Sequence, residues 1–286
     1  MKIKLAKNLG FCFGVKRAIS LILKALKDNP GRPVYTLGPL IHNPIVVRGL
    51  EKKGLKVIHS CRDIKDGMLV IPSHGLAYKV QEKARSKGIK LLDATCPYVL
   101  RSQRLACMLA EEGYEVIVIG ERFHPEIKGI LGTIHGTCRV VNEIGDLLTL
   151  PKFKRAGVIV QTTESLYKLK EIVSALLEKA DELKVYNTLC IHTMRRQEEA
   201  VKLARDVDVM LVVGGHNSAN TRRLYELCKK IVPAYQVESA AELELKLKRN
   251  KRLREILKSK KKAGIVSGTS TPYTSIKELM KKLKKI

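Results

Sequence analysis

The stretch GFCFGVKRA, residues 10–18, places Cys12 between two glycines, after an apolar extended segment and before a helical pattern. The same arrangement recurs around Cys96 in DATCPYVLRSQ (93–103) and around Cys190 in NTLCIHTMRRQ (187–197). In each case a cysteine occupies the turn, and Lys or Arg follows four to six residues later. Because these cysteines are 84 and 94 residues apart, the sequence divides into three comparable parts, each opened by one cysteine.

Strand-length apolar segments alternate with helical patterns along the whole chain. We predict strands at 2–7, 34–37, 68–73, 89–94, 115–120, 156–161, 183–187, 207–215 and 263–268. This alternation predicts three similar α/β domains, 1–97, 98–188 and 189–286, each with a small, mainly parallel sheet. Three such sheets facing one another would place all the turns that follow these strands around one central cavity.

Length and composition restrict the class of protein. A chain of 286 residues exceeds what one core usually serves, and a hydrophobic content of 45% is enough for several buried cores. No apolar run reaches the length of a membrane span. The first residues, MKIKLAKNLGFCFG, lack the apolar segment and the cleavage site of a signal peptide. We therefore expect a soluble, cytoplasmic protein without a membrane partner.

The formal net charge of +26 is concentrated in two Lys-rich stretches, KLKRNKRLREILKSKKK (246–262) and KELMKKLKKI (277–286). One interpretation is solvated helix faces, as in heat-adapted proteins. The other is attraction to an acidic partner, either a phosphorylated substrate or an acidic protein. Aromatic residues make up only 5% and Trp is absent, so no nucleic-acid partner is expected. An RNA-binding protein with a structural zinc is the alternative from another class.

The seven cysteines have none of the short spacings of a disulfide scaffold, which favours thiols that act as ligands, nucleophiles or core residues. Four are predicted to pack in cores: Cys61, Cys107, Cys138 and Cys228. The other three, Cys12, Cys96 and Cys190, occupy strand-to-helix turns, where a helix N-terminus favours a thiolate. Three equivalent thiolates suit a metal centre. Zinc with one open position and a [4Fe–4S] cluster with one iron lacking a protein ligand both satisfy this pattern.

Polar residues follow the other predicted strands, at the sheet edge where ligands bind in α/β proteins. Histidine, serine and asparagine side chains in these turns are candidate ligands for an anion at helix N-termini: His42, His74, His124, Ser218, Asn220 and Ser270. Glu126, which follows Pro125, is the carboxyl group to which we assign proton transfer. Its alternative role is to cap the helix that begins there.

These residues lie in motifs that resemble those of the 4-hydroxy-3-methylbut-2-enyl diphosphate reductases, the last enzymes of the non-mevalonate isoprenoid pathway. Nine motifs occur in order along nearly the whole chain: GFCFGVKRA, YTLGPLIHNP, SHG, DATCPYV, HPE, VQTT, RRQE, NSANTRRL and SGTSTP. The resemblance implies a pseudo-threefold trefoil around a [4Fe–4S] cluster bound by Cys12, Cys96 and Cys190. It also implies a two-electron reductive dehydroxylation that yields isopentenyl and dimethylallyl diphosphate.

The same resemblance assigns roles to the turn residues. It implies that the substrate diphosphate is bound by His42, His74, His124, Ser218, Ala219, Asn220 and Ser270. Glu126, Thr162 and His124 would form the catalytic set, with Thr162 close to the allylic hydroxyl. Ala219 stands where many family members have a second serine, and His192 stands where a small residue is more usual. An acidic electron donor, ferredoxin or flavodoxin, would suit the positive charge.

Overall fold

The computed structural model describes residues 1–64, 66–259 and 262–285. Lys260 and Lys261 of the first Lys-rich stretch and Ile286 of the second therefore lie outside the described residues, as does Lys65. The described strands are β1 (Lys2–Leu5), β2 (Val34–Leu37), β3 (Leu55–Ile58), β4 (Met68–Ile71), β5 (Lys90–Asp93), β6 (Glu115–Ile119), β7 (Cys138–Val141), β8 (Phe153–Val160), β9 (Ala180–Val185), β10 (Val209–Val213), β11 (Ala234–Val237) and β12 (Lys262–Ser267).

Helices alternate with these strands. The described α-helices are α1 (Phe13–Asp28), α2 (Pro44–Glu51), α3 (Tyr78–Ser86), α4 (Pro97–Glu111), α5 (Pro125–Leu131), α6 (Leu166–Leu176), α7 (Ile191–Ala204), α8 (Ala219–Lys229), α9 (Ala240–Arg249), α10 (Lys251–Ser259) and α11 (Tyr273–Leu283). Short 3₁₀ helices occupy Cys61–Asp63 and Ile144–Thr149. Within the described part of the chain, no helix is both long and apolar enough to cross a membrane.

The twelve described strands form three sheets of four strands, and every pairing between them is parallel. The first sheet has the order β3-β2-β4-β5, the second β7-β6-β8-β9 and the third β11-β10-β12-β1. The three orders are the same when β1 is counted as the fourth strand of the third sheet. The predicted α/β class with three small parallel sheets is confirmed.

The position of β1 differs from the expectation that it opens the first α/β part. It pairs with β12, in a register that runs from Lys2 beside Lys262 to Leu5 beside Ile265. In the same way β5 pairs with β4, and β9 pairs with β8. Each cysteine turn therefore follows the fourth strand of a sheet, and the structural repeat is a circular permutation of the three sequence parts.

Three strands escaped prediction, and each occupies the same place in its sheet. They are β3 (LKVI), β7 (CRVV) and β11 (AYQV), which form the edge of each sheet opposite the fourth strand. Each is only four residues long and partly exposed. The central strands were recognised as continuous apolar runs, which is the pattern of strands buried on both faces. The strands at the opposite edges, β1, β5 and β9, are also partly exposed, but each precedes a cysteine turn that the missed strands lack.

The chain divides into two compact units. The terminal unit comprises Met1–Phe13, His42–Val46 and Ile191–Ile286, and it contains the third sheet. The internal unit comprises Gly14–Ile41 and Val47–Cys190, and it contains the first and second sheets. The division into domains 1–97, 98–188 and 189–286 stays a prediction.

Strand β10 illustrates why these sheets are buried on both faces. Its side chains alternate between two apolar clusters, as the pleat of a strand requires. Val209, Leu211 and Val213 pack with side chains from α9, α10 and α11. Met210 and Val212 pack with side chains from α7 and α8. Helices on both faces leave the carboxyl ends of the strands as the place for polar chemistry.

Candidate active site

The three turn cysteines, Cys12, Cys96 and Cys190, share one backbone contact. Each donates its N–H to the carbonyl of a residue that lies two positions past the third strand of the same sheet. The three bonds join Cys12 to Thr269, Cys96 to Ser73 and Cys190 to Thr162, with N···O distances of 3.0, 2.9 and 3.0 Å. The fourth-strand turn is therefore tied to the third-strand turn in every sheet, and the predicted repeat is a structural one.

Each turn cysteine also directly precedes a helix, because α1, α4 and α7 begin at the next residue. Helix N-termini stabilise negative charge, and thiolates are the ligands of iron–sulfur clusters. Cys190 is buried, and Cys12 and Cys96 are partly exposed, so each turn by itself presents a thiol suited to metal ligation. Among the residues that the structure describes, no three or more His, Cys, Asp or Glu side chains are grouped to hold a single metal ion.

Apolar clusters contain or adjoin three of the other four cysteines, as predicted: Cys61, Cys138 and Cys228. Burial raises the pKa of Cys138 and of Cys228 to about 12, and it also raises the pKa of Cys61. Cys107 lies within α4 and donates its Sγ–H to the carbonyl of Thr133 at 3.2 Å. A thiol with a raised pKa stays protonated at neutral pH, so it is a poor metal ligand.

Glu126, the second residue of α5, is 2% exposed. Its Oε1 accepts a hydrogen bond from the backbone N–H of Thr162, and its Oε2 accepts one from the Thr162 hydroxyl, both at 2.7 Å. The helix is capped instead by His124, whose Nδ1 accepts from the Glu126 N–H at 3.2 Å. The capping alternative for the Glu126 carboxyl is therefore wrong, and this side chain is available for chemistry at Thr162.

The environment of Glu126 sets its proton affinity. Burial raises its pKa to about 7, although the two hydrogen bonds from Thr162 act in the opposite direction. The nearby negative charge of Glu164 raises the pKa further. A carboxyl group with a pKa close to the working pH can both hold and release a proton, as general acid–base catalysis requires.

Glu164 is a residue that the sequence interpretation missed. It is 1% exposed, and its Oε1 lies 3.2 Å from Nζ of Lys168. The signal was present in the sequence, because Glu164 lies two residues after Thr162 in the turn that follows the predicted strand at 156–161. Glu126 was the one carboxylate considered in these turns, so Glu164 was passed over.

The remaining predicted residues of the internal unit lie at strand ends. His74, which is 9% exposed, follows β4 within the turn whose Ser73 accepts the Cys96 N–H. Gly75 continues this turn with φ of +83°, a conformation that glycine adopts without strain. The internal unit thus contains His74, His124, Glu126 and Thr162, together with Cys96 and Cys190.

The other predicted residues belong to the terminal unit. Ser218 is the N-cap of α8, where its Oγ accepts from the N–H of Thr221 at 3.3 Å. Ala219 and Asn220 form the first turn of α8 and are 7% and 2% exposed. Among the described residues, the Asn220 side chain has no hydrogen-bond partner for either Nδ2 or Oδ1. Buried polar groups are nearly always hydrogen-bonded, so both ends of this amide are available to a ligand or a water at the N-terminus of α8.

Ser270 and His42 are brought together in this same unit. Ser270 is 4% exposed and donates its hydroxyl to the carbonyl of His42 at 3.1 Å. Burial, with smaller contributions from Arg195 and Arg196, lowers the pKa of His192, the second residue of α7. The third-strand turn, the α8 N-terminus and the His42 segment thus form the polar end of the third sheet.

The family described as LytB protein matches residues 3–284 of the chain. The chain belongs to the LytB family. Among relatives of this LytB chain, the 4-hydroxy-3-methylbut-2-enyl diphosphate reductase of Geotalea uraniireducens (strain Rf4) is 42% identical over 287 residues. The enzyme of the same name from Geobacter metallireducens is 41% identical over 287 residues. Both alignments cover 100% of this chain and 98% of the relative.

Solved structures resemble the LytB chain as well. One is the (E)-4-hydroxy-3-methyl-but-2-enyl diphosphate reductase described as the terminal enzyme of the non-mevalonate pathway. It is 39% identical, has a TM-score of 0.71 and is aligned over 100% of both chains. Another is the E-1-hydroxy-2-methyl-but-2-enyl-4-diphosphate reductase from Plasmodium falciparum. It is 29% identical, has a TM-score of 0.90, and the alignment covers 98% of the LytB chain and 87% of the other.

Proposed function

We propose that this chain is a 4-hydroxy-3-methylbut-2-enyl diphosphate reductase. The reaction breaks the allylic C–O bond, consumes two electrons and two protons, releases water and gives isopentenyl or dimethylallyl diphosphate. The observation that carries the proposal is the threefold recurrence of the cysteine turn, with the same N–H bond to the third-strand turn in each sheet. Core packing does not require three cysteines at equivalent turns, whereas a cofactor with three protein ligands does.

The cofactor of this proposal is a [4Fe–4S] cluster with Cys12, Cys96 and Cys190 as its protein ligands. When bound, the cluster supplies the electrons and polarises the C–O bond that breaks. The protein contributes the helix N-terminus behind each thiolate, which stabilises its charge. The other four cysteines are not ligands in this proposal.

The diphosphate is proposed to bind to seven residues: His42, His74, His124, Ser218, Ala219, Asn220 and Ser270. Asn220 supports this assignment, because its buried amide lacks partners at the N-terminus of α8. Helix N-termini bind phosphate through free N–H groups and the helix dipole. Ala219 has no hydroxyl, so it can contribute only its backbone N–H.

Glu126 is proposed as the proton donor to the leaving hydroxyl. It holds a proton near neutral pH because it is buried, and Thr162 fixes the orientation of both carboxyl oxygens. Proton transfer lets the oxygen leave as water. His124 completes the catalytic set because it fixes the N-terminus of α5, which carries Glu126. Protonation of the reduced allyl group at either end accounts for two products.

The partner of this reaction is proposed to be an acidic electron carrier, such as a ferredoxin or a flavodoxin, in the cytoplasm. The net charge of +26 supports an acidic protein, because opposite charges accelerate encounter. No nucleic acid or membrane takes part in the proposal.

Anaerobic purification followed by visible spectroscopy and iron quantitation tests the proposal. The expected result is a brown, oxygen-sensitive protein with about four irons per chain that reduces the allylic diphosphate when given a small chemical reductant. A colourless zinc protein that binds RNA in a salt-dependent way would overturn it.

A further inference from the structure

An ion pair between Glu164 and Lys168 lies in the segment that follows Thr162, the residue that orients the proposed proton donor Glu126. Glu164 is 1% exposed, and its carboxylate accepts from Nζ of Lys168 at 3.2 Å. The same Nζ donates to Oδ1 of Asn142 at 2.9 Å, and the Lys168 side chain is 15% exposed. The lysine is therefore held between two acceptors rather than extended into solvent.

Glu126 and Glu164 are both linked to one short turn. The N–H of Glu164 donates to the carbonyl of Gln161 at 3.0 Å and closes the Gln161–Glu164 turn. Within that turn, Thr162 donates both its N–H and its hydroxyl to Glu126. Displacement of Glu164 would therefore displace the two donors that orient Glu126.

We propose that Lys168 is a positioning residue for the proton-transfer step: its bond to Glu164 anchors the Gln161–Glu164 turn and balances a buried negative charge next to Glu126. The inference rests on the proposed function, since it assumes that Glu126 donates a proton.

The charges around Glu126 support this role. The charged or titratable groups on the preceding turn, on α4, on α5 and on the turn after β4 are Glu121, Arg122, His124, Tyr98, Arg101, Arg104, Cys107, Glu111, Lys128 and His74. After burial, which is the main cause, Glu164 is the charge that raises the pKa of Glu126. A carboxylate in this place without its lysine would exert a stronger field, because buried charges are poorly screened.

Three variants of the holoenzyme distinguish the effects of the Glu126 and Glu164 carboxyl groups. Lys168→Met leaves Glu164 without its cation, Glu164→Gln removes the negative charge, and the double variant replaces the pair with neutral groups of similar size. Lys170→Met is the matched control, since Lys170 is exposed on the same helix. The oxidised, anaerobic proteins are titrated by infrared spectroscopy, and the carboxylic acid band of Glu126 is identified by its loss in Glu126→Gln.

The three variants are expected to move the midpoint of this band in different directions. In Lys168→Met the carboxylic acid band of Glu126 should persist to higher pH. This variant should also lower kcat about tenfold with KM nearly unchanged, because the proton donor Glu126 is misplaced. Glu164→Gln moves the midpoint to lower pH. The double variant restores the midpoint, and kcat returns to within about threefold of the wild type, because coupled charges are not additive. Lys170→Met has no effect on either quantity.

The outcomes separate this inference from the proposed function. If Lys168→Met and Glu164→Gln both titrate and turn over like Lys170→Met, the inference is wrong. Additive losses in the double variant also contradict it. If Glu126→Gln retains normal turnover while the infrared midpoints move as expected, the electrostatic pair stands and the proposed role of Glu126 fails.

Discussion

Replacement of Thr162 by valine removes one of the two hydrogen bonds to Glu126 and keeps the shape of the side chain. The lost bond joins the Thr162 hydroxyl to Oε2 at 2.7 Å, and the bond from the backbone N–H remains. Both bonds lower the pKa of Glu126, which burial raises to about 7. The variant therefore raises this pKa further.

The magnitude follows from the strength of the lost bond. A hydrogen bond to a charged group contributes about 1.5–3 kcal/mol. One pKa unit corresponds to about 1.4 kcal/mol, so the pKa is expected to rise by about 1–2 units. A proton donor is active in its protonated form, so activity falls as the pH rises through the pKa. The basic limb of the pH profile should move from near pH 7 to about pH 8–9.

The assay is the pH dependence of kcat/KM under anaerobic conditions with a small chemical reductant, because kcat/KM reports the free enzyme. Thr162→Ser keeps the hydroxyl and should leave the limb near its original position. Thr163→Val makes the same chemical change one residue later, at a side chain that accepts from Gln161 Nε2 at 2.9 Å. An unchanged limb in Thr162→Val, or a shift to lower pH, would refute the assignment of Glu126 as the donor controlled by Thr162.

Four further predictions concern metal retention, stability and substrate binding. Serine at any of the three turn cysteines should lower the iron content after anaerobic reconstitution, whereas Cys107→Ala should not; equal iron in all would contradict the ligand assignment. Gly10→Ala should cost about 1–2 kcal/mol of stability at φ of +79° and also reduce iron retention. Gly113→Ala, at φ of +80°, should lower the thermal midpoint alone. Ala219→Ser should lower KM up to about tenfold by adding a donor to the substrate, as steady-state kinetics would measure. Glu126 has a folded-state pKa above its ordinary value, so its contribution to stability is complete below about pH 4.5 and lost as the pH rises through about 7. In the wild type this loss amounts to about 3 kcal/mol of the free energy of unfolding. In Glu126→Gln, denaturation curves measured across this pH range should show no such loss.

The sequence was sufficient for the parts of the fold that depend on local apolar pattern. Strands such as β10, VMLVV, are buried at every position, so an unbroken apolar run in the sequence predicts them. The cysteine turns were recognised because their glycines, prolines and following basic residues repeat in the sequence. The pairing partner of β1 depends on contacts more than 250 residues away, and no local pattern contains that information.

The candidate site was likewise predictable only where local sequence determines it. Glu126 was identified from its place after Pro125, but the sequence did not distinguish a capping carboxylate from one bonded to Thr162. That choice depends on His124, which takes the capping position and leaves the Glu126 carboxyl to cross to the end of β8. Lys168 follows Glu164 by four residues, so that contact is local. Asn142 lies on a separate element, and its hydrogen bond to Lys168 depends on tertiary packing.

The pairing of β1 with β12 has a consequence for biosynthesis. Residues 2–5 leave the ribosome 260 residues before their partners at 262–265. At roughly 5–20 residues per second, this strand waits roughly 10–50 s for the neighbour beside it. The first and second sheets contain only strands made in between, so they can close during translation. Cys12 is the first of the three turn cysteines to be synthesised, but its turn is the last to be completed. A nascent chain that stalls before β12 leaves β1 without a sheet to join.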